Sequence, residues 1–366
     1  MQDNEWLKAS VACGNGGPRW RAAVAPDAFS GWIGAMAIPR IGLTVPPQLP
    51  PADIPAYARR AETAGFDELW LAEDCFFAGG IAAVSAALSG TERLVVGLGI
   101  MPAVARNAAF IAMEVAALAE LYAGRVTIGL GHGMAGWMRQ IGAYPRSPLT
   151  ALSEHIQAVR ALLTGQTVSM AGEYVRLDGV RLDHPPALAP LALAGVRGPR
   201  SLELSGRVAD GTILAWPLTG AYVAQARAAI GKGRLAAGRT ERHLLVGGTP
   251  ISVDPDPDRA RDAMRTAVAA ELAGPTGPIH IEPLGIVDEV ARLRADAGSL
   301  ERFAAELPDR WIDQLVIAGP VPQCVDRIAA LADGGIDHLL LSFPPALTAD
   351  QQDAIGRELI ASLGLS

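Results

Sequence analysis

Residues 124–137 read GRVTIGLGHGMAGW. A β-branched run, Val126 to Ile128, drives into glycines at 129, 131 and 133, with His132 between the last two. Strand interiors gain from side-chain packing. Glycine on alternate positions therefore weakens a strand unless the backbone must approach something closely or turn with positive φ. The preceding stretch, NAAFIAMEVAALAELYAG (107–124), reads as a helix. Asn107 is its cap, Ile111, Val115, Leu118 and Tyr122 share one face, and Gly124 stops it. Helix, strand and glycine-rich exit make one repeat of an alternating α/β chain.

The same rhythm extends in both directions. IGLTV (41–45), ELWLAED (68–74), RLVVGLGIM (93–101), RVTIGLG (125–131), LALAGV (191–196), TILAW (212–216), LLVGGTPISV (244–253) and HLLLSF (338–343) read as strands, each followed by a helical pattern. RLVVGLGIM lacks polar alternation, as a parallel sheet covered on both faces requires. Eight βα units predict a closed (β/α)8 TIM barrel with insertions. An open doubly wound sheet is the rival. It usually carries one glycine-rich loop after its first strand, whereas here such ends recur after the third, fourth and fifth strands. Residues 165–190 break the rhythm and alternate like a hairpin, and two or three helices fill 257–308. The segments 165–190 and 257–310 are therefore insertions in one barrel domain spanning 36–366. Residues 1–35, with Trp6, Trp20 and Trp32 among Gly, Pro and Arg, read as an extension outside the barrel. The alternatives are an upstream start, with Met36 as the natural beginning, or an ordered cap.

Bulk composition narrows the classes. The 366 residues are 50% hydrophobic, which is ample for a large core. A net charge of −7 with 5% aromatics gives no basic, aromatic-rich stripe for nucleic acid. Apolar runs are short and broken by Gly, Pro or charge, so no membrane span is expected. Cys13, Cys75 and Cys324 are dispersed and odd in number, which suits a reducing cytoplasm rather than a disulfide framework. Lysine occurs only at 8 and 232, a bias of composition that also removes the desolvated lysine of Schiff-base chemistry.

In a barrel, chemistry sits at the C-terminal strand ends. GLGHG places Gly129, Gly131, His132 and Gly133 there, and GLGIMP places Gly99 and Ile100. AGVRGPRS (194–201) ends the fifth strand and opens a helix at Pro199. Free N–H groups beside Gly195 and Gly198 suit an anion, with Arg197 or Arg200 adding charge, although a capped helix alone would give the same sequence. Glu73-Asp74 ends the second strand, and side chains alternate, so one of the two faces the ligand as proton donor or acceptor. Among the histidines no HxH or HExxH occurs, so no metal site is expected. His155 reads as surface, and His243 and His338 lie at strand starts. His132 alone is at the catalytic end.

These ends, in this order, resemble the luciferase-like flavin-dependent oxidoreductases, in particular the deazaflavin branch related to methylenetetrahydromethanopterin reductase. The matching stretches are AETAGFDELWLAED (61–74), VGLGIMPAVARNAAFIAMEVAALAELYAGRVTIGLGHG (96–133), LAGVRGPRSLELSGRVADGTILA (193–215) and GGIDHLLLSF (334–343). The resemblance implies a flavin or deazaflavin ring at the barrel mouth, backed by a non-prolyl cis peptide at Gly99–Ile100. It implies a cofactor phosphate at Ala194, Gly195, Gly198 and Pro199. The family's second strand often ends in an acidic residue followed by His; here Glu73-Asp74 stands there, and proton transfer passes to one of those carboxylates. The small residues of AGVRGP favour coenzyme F420 and hydride transfer over FMN. With FMN the chain would be a two-component monooxygenase needing a separate flavin reductase. A small-molecule substrate would lie over the ring, walled by 165–190, Met134–Trp137 and 273–310. Trp137 and Trp216 would either stack on ring or substrate or serve as packing. The family also implies a homodimer. On this reading the glycines at 129, 131 and 133 clear side chains so that a planar ring lies against backbone. The rival classes are a non-catalytic binding barrel and a metal-dependent barrel hydrolase or lyase.

Overall fold

A computed structural model describes residues 38–365. The expected extension 1–35 and the Met36 start lie outside the described residues. The strands are β1 (Arg40–Thr44), β2 (Glu68–Leu71), β3 (Val95–Pro102), β4 (Val126–Gly131), β5 (Val168–Ala171), β6 (Arg176–Val180), β7 (Ala192–Gly195), β8 (Gly211–Leu214), β9 (Leu244–Val253), β10 (Ile317–Gly319) and β11 (His338–Ser342). Eight of them close a parallel ring in the order β1-β2-β3-β4-β7-β8-β9-β11, with β11 pairing back to β1. This is the expected TIM barrel, with helices between successive strands.

The hairpin of the first insertion is present as the antiparallel pair β5–β6. The later insertion differs from expectation. Instead of two or three helices it holds Pro257–Ala273, Gly277–Ile281, Val287–Ala297 and Leu300–Glu306, followed by Asp309–Leu315. Gly285 and Gly298, both near φ +70, and Pro308 divide the helical pattern. These helices bury a core of their own around Met264, Phe303 and Trp311. The sequence reading also missed β10, which pairs with Ile251–Val253 at the outer end of β9. Three residues are too few to show a period.

Inside the barrel Trp70 fills the middle layer. A Cβ at Gly99 would come within 2.8 Å of its ring, and one at Gly97 would overlap it. Trp70 Nε1 donates to the buried carboxylate of Glu68 at 2.8 Å, which also meets His338 Nδ1 at 2.8 Å and Arg40 at 3.5 Å. Burial alone would raise the Glu68 pKa. The partners His338, Trp70 and Arg40 outweigh it and hold the carboxyl below its ordinary value. His243 likewise serves the barrel base, with Nε2 2.8 Å from Thr212 Oγ1. His155 is buried rather than on the surface, because its Nδ1 meets the Ala151 carbonyl one turn back at 2.7 Å. No described helix is long and apolar enough to cross a membrane.

Candidate active site

The mouth is built on the ends of β2, β3, β4 and β7. The Gly99–Ile100 peptide is cis, as the resemblance implied, and the β3–β4 register shifts between Gly99 and Met101. Ile100 is half-buried at this point. Its side chain lies across two neighbouring strand ends. A Cβ at Gly131 would stand 2.8 Å from Ile100 Cδ1, and one at Gly195 would overlap Ile100 Cγ2. A Cβ at Gly129 would overlap Ile213 Cδ1. The glycines of β4 thus have a nearer cause than an exposed backbone surface. Gly129, Gly131 and Gly195 admit the Ile213 and Ile100 side chains, and Ile100 becomes the apolar floor. Gly133 differs: its φ of +71 requires a residue without Cβ at the strand exit.

The two carboxylates after β2 have separate fates. Glu73 accepts both arms of Arg106, at 2.5 and 2.6 Å, and the Gly80 N–H at 2.8 Å. Its own N–H donates to the Ile100 carbonyl at 3.2 Å. Glu73 is therefore fully engaged, and it ties the β2 exit to the Ile100 floor. Arg106 also lies 3.7 Å from Glu114. Asp74 is half-buried and has no hydrogen bond or ion pair from its carboxylate among the described residues. Burial raises its pKa above the ordinary aspartate value.

On the other side of the mouth, helix Pro199–Val208 begins at Gly198 with no side-chain cap. Ala194 is buried in β7 just before this turn, and Pro199 supplies the first helical residue. The N–H groups of Arg200 and Ser201 point out of the helix start, as the first amides of any helix do. His132 Nε2 stands 3.1 Å from Ser201 Oγ in that first turn. His132 Nδ1 is buried and lies near the Pro148 backbone without reaching it in hydrogen-bond geometry. Burial lowers the His132 pKa, so the imidazole is neutral near pH 7. Ser201 was not singled out in the sequence, although its place two residues after Pro199 is the signal that finds it.

Arg197 is directed elsewhere. Its Nη1 donates to Thr276 at 2.6 Å and lies 3.8 Å from Glu271, on the inserted helices. Arg200 is exposed at the helix start. Tyr222 donates to the Arg197 carbonyl at 3.0 Å and packs 4.6 Å from the fully buried ring of His280. His280 Nδ1 in turn meets the Pro217 carbonyl at 3.2 Å, after the cis Trp216–Pro217 bond. This pair joins the ends of β7 and β8, and no local pattern in the sequence announces it. Trp216 packs against the inserted helical core. Trp137 is half-buried on helix Ala135–Gln140.

Comparison with known proteins places this architecture. The family model described as luciferase-like monooxygenase matches residues 29–338. A 5,10-methylenetetrahydromethanopterin reductase from Methanolobus tindarius is 27% identical over 87% of this chain and 99% of its own length. An F420-dependent glucose-6-phosphate dehydrogenase from Beutenbergia cavernae is 30% identical over 86% of this chain and 94% of its own. The solved structure of a coenzyme F420 dependent tetrahydromethanopterin reductase from Methanopyrus kandleri superposes with a TM-score of 0.77, covering 89% of this chain and all of that one at 23% identity. An EDTA monooxygenase from Chelativorans superposes with a TM-score of 0.69 at 16% identity, over 90% of this chain and 94% of that one. At these identities both structures speak for the fold alone.

Proposed function

Because this chain belongs to the luciferase-like monooxygenase family, we propose that it is an oxidoreductase working with coenzyme F420 on a small organic substrate. One observation carries the placement of the cofactor: the uncapped start of helix Pro199–Val208 beside Ser201 and the unsatisfied His132, at the edge of the Ile100 floor. Free helix N–H groups, a hydroxyl and a neutral imidazole make a donor set that fits a phosphate monoanion or diester. Ile100 offers an apolar surface for one face of a flat ring, with Gly99, Gly129, Gly131 and Gly195 shaping it. When bound, the deazaflavin supplies hydride transfer.

The remaining work falls to the chain. Asp74 is the carboxyl at the mouth without a partner among the described residues, and its raised pKa suits it to hold or release a proton at a substrate oxygen. Glu73 is a positioning residue, since its oxygens are taken by Arg106 and Gly80. Arg197 braces the β7 exit against the inserted helices rather than meeting the phosphate itself. What favours the deazaflavin over FMN is the naming of the relatives similar in sequence, such as the Beutenbergia enzyme. The monooxygenase neighbours are more distant.

A fluorescence titration with coenzyme F420 and with reduced FMN tests the proposal. Micromolar binding of F420, weakened about tenfold by Ser201→Ala, is expected; a lost charge-assisted hydrogen bond of about 1.4 kcal/mol gives that factor. Tight binding of reduced FMN with none of F420 would replace the proposal by a two-component monooxygenase with a separate reductase. The homodimer belongs to the same proposal.

A further inference from the structure

The loops at the C-terminal ends of the eight barrel strands cover 45–50, 72–79, 103–107, 132–134, 196–198, 215–219, 254–256 and 343–348. They contain two basic side chains, Arg106 and Arg197. Both are committed: Arg106 is held by Glu73 and Glu114, and Arg197 by Thr276 and Glu271. Arg139, on the helix after β4, stacks 4.4 Å from the Tyr144 ring. Arg200 lies at the helix start already assigned to the cofactor's phosphate. Among the described residues these loops therefore hold no arginine without a carboxylate or hydroxyl partner. Their Asp74 carboxylate has neither an ion pair nor a hydrogen bond.

The same loops are rich in large apolar side chains. Phe76 and Phe77, directly after Asp74, are 64% and 52% exposed, and Met134, at the exit of β4, is 50% exposed. Soluble proteins rarely leave such side chains open at a concave end without a ligand to cover them. An anionic substrate entering here would lose its hydration beside a carboxylate and gain no opposite charge, whereas a neutral apolar one would cover the phenylalanines.

We infer that this enzyme takes a neutral, lipophilic alcohol or carbonyl compound and not a phosphorylated sugar, the class named in its Beutenbergia relative. The inference rests on the oxidoreductase reading above and names the substrate class of that site. A calorimetric titration of the full-length protein, alone and loaded with F420, with 4-phenyl-2-butanone and with glucose 6-phosphate tests it directly. The ketone should bind saturably and the sugar phosphate should give no saturable heat. The double variant Phe76→Ser/Phe77→Ser should raise the ketone Kd about tenfold, and Met134→Ser by a smaller factor in the same direction. Both should leave the F420 fluorescence titration unchanged. Saturable binding of glucose 6-phosphate, no binding of the ketone, or ketone binding indifferent to these three side chains would overturn the substrate class. Failure of F420 to bind would instead strike the cofactor reading, because the ketone titration on the unloaded protein is read separately.

Discussion

The fit of Ile100 against Gly195 gives a sharp test of how the mouth is shaped. A methyl group at residue 195 would overlap Ile100 Cγ2, a branch attached to the stiff Cβ rather than the movable end of the chain. Gly195→Ala therefore forces either the β7 exit or the Ile100 backbone to move. Overpacking of this kind costs about 1–3 kcal/mol. Since the same displacement moves the floor and the start of helix Pro199–Val208, F420 affinity should fall by about tenfold or more. Gly131→Ala should be milder. Its nearest contact is Ile100 Cδ1 at 2.8 Å, which can swing away, although the Gly195 carbonyl at 3.0 Å is less forgiving.

The second substitution decides the cause. Ile100→Val keeps Cγ2 and should not rescue Gly195→Ala. Ile100→Ala removes it and should rescue. In a double-mutant cycle read by urea unfolding and by F420 titration, Gly195→Ala with Ile100→Ala should show favourable coupling of about 1–2 kcal/mol, within the range for residues in contact. Strict additivity, or equal rescue by Ile100→Val, would refute the idea that Gly195 exists to admit Ile100. It would return the glycines to the simpler role of exposing backbone.

Other expectations follow from the same geometry. Asp74→Asn should lower kcat about 10²–10⁴-fold if Asp74 carries the proton, and should remove the limb of the kcat profile that reports its raised pKa. Because burial raises the folded-state pKa, the ionised form destabilises the fold. The carboxyl's favourable contribution is complete below the unfolded pKa and is lost as pH rises through the folded one. Asp74→Asn should therefore be more stable than the parent above that pH and not below it, as urea unfolding at several pH values would read. Glu73→Gln should cost about 2–3 kcal/mol in unfolding, since Arg106 loses a bidentate and largely buried partner. For the homodimer, sedimentation should give about twice 38.1 kDa. Helix Ala108–Leu121, which leaves Phe110, Met113 and Leu121 exposed, is the face to disrupt first by Phe110→Asp.

How much of this was legible in the sequence depends on range. The barrel strands announced themselves through local signals: apolar runs such as RLVVGLGIM, caps such as Asn107, and stops such as Gly124. Those signals are set by neighbours a few residues away. The first insertion's hairpin was visible for the same reason, because period-two alternation survives in five residues. β10 was not visible, since its pairing with Ile251–Val253 joins segments more than sixty residues apart and only three residues take part. The glycines were recognised as special, but what they admit is Ile100 and Ile213, side chains from other strands whose positions follow from barrel closure. The pairing of Arg106 with Glu73 and the diversion of Arg197 to Thr276 were equally hidden. Motif spacing shows that an arginine is near a strand end, and it does not show which carboxylate or hydroxyl claims it.

The Glu73-Asp74 pair shows why such claims matter for chemistry. Two adjacent carboxylates at a mouth would ordinarily repel, and each would raise the other's pKa. Both lie past the end of β2 at Leu71, and Arg106 binds one of them in both arms. Glu73 is thereby held at its carboxylate by the Arg106 guanidinium. Its N–H is free to hold the Ile100 carbonyl and so to steady the floor. Asp74 is left as a single carboxyl whose raised pKa comes from burial. A group raised by desolvation alone is sensitive to whatever covers it. A neutral apolar substrate that displaces water beside Phe76 and Phe77 would push the Asp74 pKa up further and favour its protonated form. An anionic one would do the same at the cost of its own burial. The kcat profile should therefore show a higher acid pKa than the kcat/KM profile, because the first reports the covered site and the second the open one. Identical pKa values in the two profiles would mean that substrate does not cover Asp74, and the proton would have to come from elsewhere.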